Sequence, residues 1–195
     1  MYEVELKVRA SHDEIESALT ETNSTYVRHV TQRDTYYNAP HRDFATTDEA
    51  LRIRREKRHI PDEKSDATSS TTELTYKGPR IDSTSKTRKE HEVSVGDDSV
   101  VADILDELGF DPAATVVKDR DIYTLAYTDD VTHTIVLDTV ADLGEFIEAE
   151  ATTSAESDIP AVRSGLIDTL ATLGVDPDDQ IQTSYLGLLL DDSSN

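Results

Sequence analysis

Charged residues recur at every second position along several stretches of this chain. In "EVELK", Glu3, Glu5 and Lys7 alternate with Val4 and Leu6, so in an extended strand they share one face with Arg9. In "ALRIRRE", Arg52 and Arg54 lie opposite Leu51 and Ile53; in "KTRKEHEVSV", Arg88, Glu90 and Glu92 lie opposite Val93 and Val95. Lys118 and Arg120 share a face in "VVKDRDIY", and Glu148 and Glu150 share one with Phe146 in "GEFIEAE". Lys77 ends "TYK", and Asp138 sits in "IVLDTV". An open sheet facing water also alternates polar with apolar residues. Here, however, both signs recur, and the strands keep basic residues in a chain with only 19 Lys and Arg against 41 Asp and Glu. If the sheet closes into a barrel, these faces line its interior and the apolar faces pack outward against helices. Arg and Lys bind phosphate oxygens by charge-assisted hydrogen bonds. Clustered carboxylates hold hard cations such as Mg²⁺ or Mn²⁺. A polyphosphate with a divalent metal suits both sets.

The elements that must carry these residues can be read in turn. Ser11 followed by Glu14 is a capping-box pattern opening a helix in "SHDEIESALTE". "STYVRHVTQRDTYYN" is a long strand, "ALRIRRE" a short one, and "KRHIPDEKSDATSST" a polar loop. "TELTYKG" and "KTRKEHEVSV" are further strands joined through a Gly-Pro turn segment. Val101, Ile104, Leu105 and Leu108 recur at helical spacing. "TVVKDRDIYTLAY" and "VTHTIVLDTV" flank "TDD" as a hairpin, and "GEFIEAEAT" is the last strand. "IPAVRSGLIDTLATLG" is a helix with Pro160 in its first turn, and "SYLGLLL" a short closing helix. About eight strands with inserted helices give an α+β class with an antiparallel sheet or barrel. With no repeat or linker, residues 1–195 read as one domain.

Composition narrows the function. A formal net charge of −22 argues against nucleic-acid and anionic-membrane partners. The acidic excess, with few Lys, is that of a protein from a high-salt cytoplasm. The absence of Cys removes disulfides, thiol chemistry and Cys-zinc sites. No apolar run has the length of a signal peptide or membrane span, so the expected location is cytoplasmic. There is no G-x-x-x-x-G-K-[ST], so phosphate would be held by side chains. The six His are scattered without metal spacing, and Ser184 has no evident His/Asp partner for nucleophilic work. Asp34 and Tyr36 read as structural, and the Asp pairs at 97–98, 129–130 and 178–179 as turns and solvated surface.

The ordered set "EVELK", "LRIR", "TYKG", "TRKEHE", "VKDR", "VLD" and "LGEFIEAE" resembles the CYTH, or triphosphate tunnel metalloenzyme, superfamily. The resemblance spans nearly the whole chain, and "LGEFIEAE" is most similar to the branch of class IV adenylyl cyclases. It implies an eight-stranded antiparallel β-barrel whose tunnel holds a triphosphate, with helices packed outside. By the resemblance, Lys7, Arg52, Arg54, Lys77, Arg88, Lys118 and Arg120 grip phosphate oxygens. Glu3, Glu5, Glu90, Asp138, Glu148 and Glu150 hold Mg²⁺ or Mn²⁺, as two ions, with Glu92 a further contributor. Glu5, Lys7, Glu148 and Glu150 then form the catalytic set. Family members end in a helix near the tunnel, matched by Ser184 and Tyr185, but Thr183 stands where some have a basic residue.

The implied reaction is ATP to cyclic AMP and pyrophosphate. Hydrolysis of inorganic or thiamine triphosphate uses the same charges, and a non-catalytic polyphosphate or nucleotide binder belongs to another class. The partner is a nucleoside triphosphate or other triphosphate, and a homodimer stays open. The charge itself gives an outcome to check: unscreened, −22 charges repel one another. The thermal unfolding midpoint should therefore rise as KCl goes from about 0.1 M to about 2 M, beyond the Debye regime of dilute buffer. A midpoint indifferent to KCl would remove the high-salt reading.

Overall fold

Alternating apolar and charged residues build eight strands, and these close on themselves. The computed structural model describes residues 2–59, 69–81, 87–128 and 130–192. In chain order the elements are β1 (Tyr2–Arg9), α1 (His12–Thr20), β2 (Ser24–Asn38), α2 (Phe44–Thr47), β3 (Ala50–His59), β4 (Ser69–Arg80) and β5 (Arg88–Val95). They continue with α3 (Asp98–Glu107), β6 (Asp111–Ala126), β7 (Thr132–Val140), β8 (Gly144–Thr153), α4 (Ile159–Thr172) and α5 (Tyr185–Asp192). Around the closed barrel the order is β1-β5-β4-β3-β2-β6-β7-β8, with antiparallel neighbours throughout. The α+β barrel expected from the sequence is thus the observed fold. Among the described residues, no helix is long and apolar enough to cross a membrane.

Register decides which charges meet. Glu5 lies opposite Glu150, and Lys7 opposite Glu148, across β1 and β8. Asp34 lies opposite Arg54 across β2 and β3, and Arg120 opposite Asp138 across β6 and β7. Lys77 lies opposite Glu90 across β4 and β5. The β1–β5 seam is narrow, pairing Tyr2 with Lys89 and Glu3 with Arg88.

The main apolar core lies outside the barrel. Val4, Leu6 and Val8 of β1, with Ile135, Leu137, Ile147 and Ala149 of β7 and β8, are buried against Leu166 and Leu170 of α4 and Ile15 and Leu19 of α1. Helix α4 approaches β7 closely: a Cβ on Gly165 would stand 3.1 Å from both His133 and Tyr127. His133 is buried there beside Thr169, its Nδ1 2.8 Å from Oγ1. A second cluster joins Val116, Val140, Leu143 and Phe146 to Tyr185 of α5. A third puts Tyr37 and Ile53 under Leu105 of α3.

Several local expectations change. Ser11 precedes α1, but its side chain makes no capping hydrogen bond; the amide of His12 donates instead to Glu145 at 3.1 Å. A carboxylate from β8 thus takes the place of the local capping box. On α3, Leu105 is buried and Val101 packs beside it, whereas Ile104 and Leu108 are 51% and 62% exposed. That helix covers a small patch of sheet, so half of its apolar spacing faces out. Val93 is also exposed, so the outer face of β5 is not covered as its alternation suggested. Strands β3 and β4 run further than their apolar patterns, pairing Lys57 with Ser70 and Arg58 with Ser69. Backbone pairing there needs no buried face. The rest of the polar loop, 60–68, lies outside the described residues, as do 82–86 and Asp129. The four-residue α2 has no periodic signal; Asp43 caps it by accepting from the amide of Ala45.

The β1 faces should respond differently to truncation. Leu6 is 1% exposed in the outer core. Leu6→Ala should cost about 2–5 kcal/mol in denaturant unfolding, the range for removing a buried Leu side chain. A loss below about 1 kcal/mol would show that the outer packing does not hold this strand.

Candidate functional site

The barrel interior opens into a cavity of about 760 Å³. Its lining includes Glu3, Glu5, Arg52, Arg54, Lys77, Arg88, Glu90, Glu92, Lys118, Arg120, Glu148 and Glu150. Helix α2 and its flanks add Phe44, Asp48 and Glu49, and the start of α5 adds Ser184, Tyr185 and Leu186. Of the site residues expected from sequence, Lys7 and Asp138 are the two that stand behind this lining, both fully buried.

The cations are held by carboxylates along the wall. Arg54 donates to Asp34 through Nε and Nη2, both at 2.7 Å, and Arg52 Nη1 donates to the same carboxylate at 3.2 Å. Burial would raise the Asp34 pKa, but Arg52 and Arg54 override it and hold the carboxyl well below its usual range. Arg120 makes the matching fork on Asp138, at 2.7 and 2.6 Å, and also donates to Glu148 at 2.5 Å. Lys118 Nζ is 3.6 Å from Asp138. Burial, then Arg120 and Arg54, outweigh that carboxylate and bring Lys118 down to about 8. Lys77 donates to Glu3 at 3.0 Å and pairs with Glu90. Burial opposes its charge, but Glu3 and Glu90 raise its pKa above the ordinary value.

The acidic residues separate into distinct roles by position. One oxygen each of Glu5, Glu148 and Glu150 lies within 4.8 Å of the others. Burial raises the Glu150 carboxyl to about 8; Arg120 opposes this, while Glu3, Glu148 and Glu5 add to it. Glu3 and Glu90 instead flank Lys77, and Glu92 accepts from Thr75 at 3.1 Å. Both Asp138 oxygens are engaged by Arg120, and Oδ2 also accepts from the Tyr185 hydroxyl at 3.0 Å. Asp138 therefore meets the glutamate trio through Arg120, whose Nη2 donates to both Asp138 and Glu148.

Lys7 has an unexpected setting. Its Nζ donates to the carbonyl of Thr183 at 2.6 Å and lies 3.9 Å from the centroid of the Tyr185 ring. Arg9, on the same strand face, turns away to the carbonyl of Leu143 at 2.6 Å and stacks on Phe146. Arg88 is tied to Asp48 at 2.8 Å and to the carbonyl of Gly78 at 3.0 Å. Asp48 also accepts from Arg80 at 2.8 Å, and Arg80 lines the cavity. Sequence reading passed over Arg80 because the pairing register shifts between Lys77 and Arg80, so parity beyond Gly78 no longer reports a face. Asp48 sits in a left-handed conformation after α2, with no pattern to mark it.

The carboxylate trio suits a divalent metal. Three carboxylate oxygens so close, one on a carboxyl whose pKa burial raises, are hard donors suited to a hard cation, whose charge would relieve their repulsion.

A family model described as the CYTH domain matches residues 1–185. A protein of Methanocaldococcus jannaschii, named as a candidate adenylate cyclase, is 34% identical over 189 residues, 96% of this chain and 98% of its own. The solved PH1819 protein of Pyrococcus horikoshii is 40% identical, with a TM-score of 0.85 over 97% of this chain and 99% of its own. A Hippeastrum protein, described as a candidate adenylyl cyclase with a dominant triphosphatase activity, shares the fold at 16% identity. Its TM-score is 0.57 over all of this chain and 96% of its own. The match over nearly the whole length joins a closed barrel with an interior of paired charges, and this chain belongs to the CYTH domain family.

Proposed function

We propose that this chain, as one domain over 1–195, is a metal-dependent enzyme that converts a nucleoside triphosphate, ATP, to cyclic AMP and pyrophosphate. The observation that carries the reading is one cavity with Arg52, Arg54, Lys118 and Arg120 on its walls and the Glu5, Glu148 and Glu150 trio beside them. The cyclase reading is supported by the name of the M. jannaschii relative.

Arg52 and Arg54 bind phosphate oxygens with the donors that Asp34 leaves over. Arg52 Nε is buried without a hydrogen-bond partner among the described residues, and a phosphate oxygen would satisfy it. Arg120 and Lys118 bind from β6, and Lys77 and Arg88 from β4 and β5. Lys7 adds positive charge from behind Tyr185. Asp34 and Asp138 orient the guanidiniums, so little side-chain freedom is lost when the anion arrives. Glu5, Glu148 and Glu150 would hold one Mg²⁺ or Mn²⁺, which supplies Lewis-acid charge beside the phosphate oxygens. The 3′-hydroxyl oxygen forms its bond to the α-phosphorus while the bond to the bridging oxygen breaks and pyrophosphate leaves. The hydroxyl proton passes to water.

A second reading is hydrolysis of a triphosphate, motivated by the description of the Hippeastrum protein. One assay separates the two. The protein is incubated with ATP, tripolyphosphate and thiamine triphosphate in Mg²⁺ or Mn²⁺ at high salt, and the products are resolved. Cyclic AMP with pyrophosphate from ATP supports the cyclase; orthophosphate together with ADP, pyrophosphate or thiamine diphosphate from the respective substrates, and no cyclic AMP, makes the protein a triphosphatase; binding without turnover makes it a sensor.

Two further outcomes follow from the charges. Glu150 titrates near 8, against an ordinary 4.5, so between those values the metal-free fold holds a proton that the unfolded chain releases. Stability without metal should fall as pH rises through that window, because the folded state binds the extra proton. Mn²⁺ affinity should rise with pH up to about 8, with proton release near pH 7 readable by calorimetry in buffers of different ionisation heat. Glu150→Gln should abolish that pH dependence and lower turnover at least about a hundredfold. It is a cleaner probe than Glu148→Gln, which would also disturb the bond from Arg120. Unchanged turnover in Glu150→Gln at saturating metal would defeat the assignment.

Arg54→Ala should weaken tripolyphosphate binding by about 1.5–3 kcal/mol, the value of a charge-assisted contact. It should also lower stability by roughly 1–3 kcal/mol, since Asp34 loses its forked partner in a buried place. Equal affinity in variant and wild type would return Arg54 to a purely structural part.

A further inference from the structure

One side chain from α5 touches the cations of two barrel strands. The Tyr185 ring has Lys7 Nζ 3.9 Å and Lys118 Nζ 5.2 Å from its centroid, and it meets Phe146 edge-on at 5.0 Å. Its hydroxyl donates at 3.0 Å to Asp138, which in turn holds Arg120 by two bonds. The side chain is buried yet contributes to the cavity wall. Its segment is fixed on both sides: the amide of Ile181 donates to the carbonyl of Lys7 at 2.7 Å, and the carbonyl of Thr183 accepts from Lys7 Nζ. The negative face of an aromatic ring attracts an ammonium ion most strongly where water is excluded.

We infer that Tyr185 is a positioning residue of the polyphosphate site: its ring face fixes Lys7 and Lys118. The Lys7 and Lys118 ammonium groups are like charges gathered at one ring, and they repel each other. An aromatic ring offsets that repulsion from its flat face without bringing a negative charge. A carboxylate in its place would neutralise the charge the anion needs. An aliphatic side chain of similar bulk would fill the volume and leave the cations unrestrained. The inference rests on the triphosphate reading of the cavity.

The test measures magnesium-free tripolyphosphate binding by calorimetry on the full chain at fixed pH and salt. Tyr185→Phe, which keeps the ring and loses the hydroxyl, should bind within a few-fold of wild type. Tyr185→Leu should lose about tenfold or more, the scale of a desolvated cation–π contact. Because that variant could also loosen α5, the decisive series places phenylalanine and its mono-, di- and trifluorinated analogues at position 185. Fluorine drains the ring face with little change of shape. Affinity should fall step by step along the series, and the steps should shrink in a Lys7→Ala background. Mn²⁺ binding, which the glutamate trio governs, should stay constant in all of them. A flat or rising series would overturn the inference. Wild-type protein that fails to bind tripolyphosphate would instead overturn the proposed function.

Discussion

Asp34 and Asp138 sit where guanidinium groups must be kept inside a protein. Each accepts a forked pair of hydrogen bonds, from Arg54 and from Arg120 respectively. A buried charge without a partner is strongly destabilising, and these aspartates are what permit cations on an inner barrel wall. They do so without cancelling the site, because an arginine has five donors and the fork uses two. The donors left over can turn to an anion. Removing one member of a pair would leave the other charge buried alone, and the proposed phosphate site depends on the pairs for orientation.

Strand order then sorts the signs. The strands β2, β3 and β6 are adjacent and carry Asp34, Arg52, Arg54, Lys118 and Arg120. Strands β1 and β8 are also adjacent and carry the glutamate trio. Arg120 lies where the sets touch, donating to Glu148 at 2.5 Å with Nη1 3.5 Å from Glu150. Closing the sheet makes one cavity from residues far apart in the chain. The same closure turns the apolar faces outward, so α1 and α4 supply a core that a filled barrel would place inside, while α5 packs on Val116, Val140 and Phe146 along the charged faces.

The two ends of the chain meet at this cavity. Lys7 is engaged by the carbonyl of Thr183 and the ring of Tyr185, so the opening strand and the closing helix share one cation. This contact spans 176 residues and stands beside the Arg120–Asp138 pair through the tyrosine hydroxyl. The C-terminal helix is therefore continuous with the charged interior as well as with the apolar cluster around Phe146.

Alternation alone was enough to assign faces. Glu3 and Glu5 line the cavity while Val4, Leu6 and Val8 pack outside, because side chains in a strand alternate whatever the strand pairs with. The long strand Ser24–Asn38 and the helix begun by Pro160 were legible for the same local reason. What local pattern does not contain is register and distance. The sequence could place Asp138 among carboxylates but could not show that its two oxygens are taken by Arg120 and Tyr185, which depends on β6, β7 and α5 meeting. It could place Lys7 on the inner face, yet not beneath Tyr185. It could give α3 its apolar spacing, while only the area of sheet beneath decided that Leu105 is covered and Ile104 is not. Arg80 was hidden by a register shift that changes the parity of its strand. Outside that register shift, the face of each strand residue follows from alternation along the chain; the partner of each charge follows from which strands the closed barrel makes neighbours.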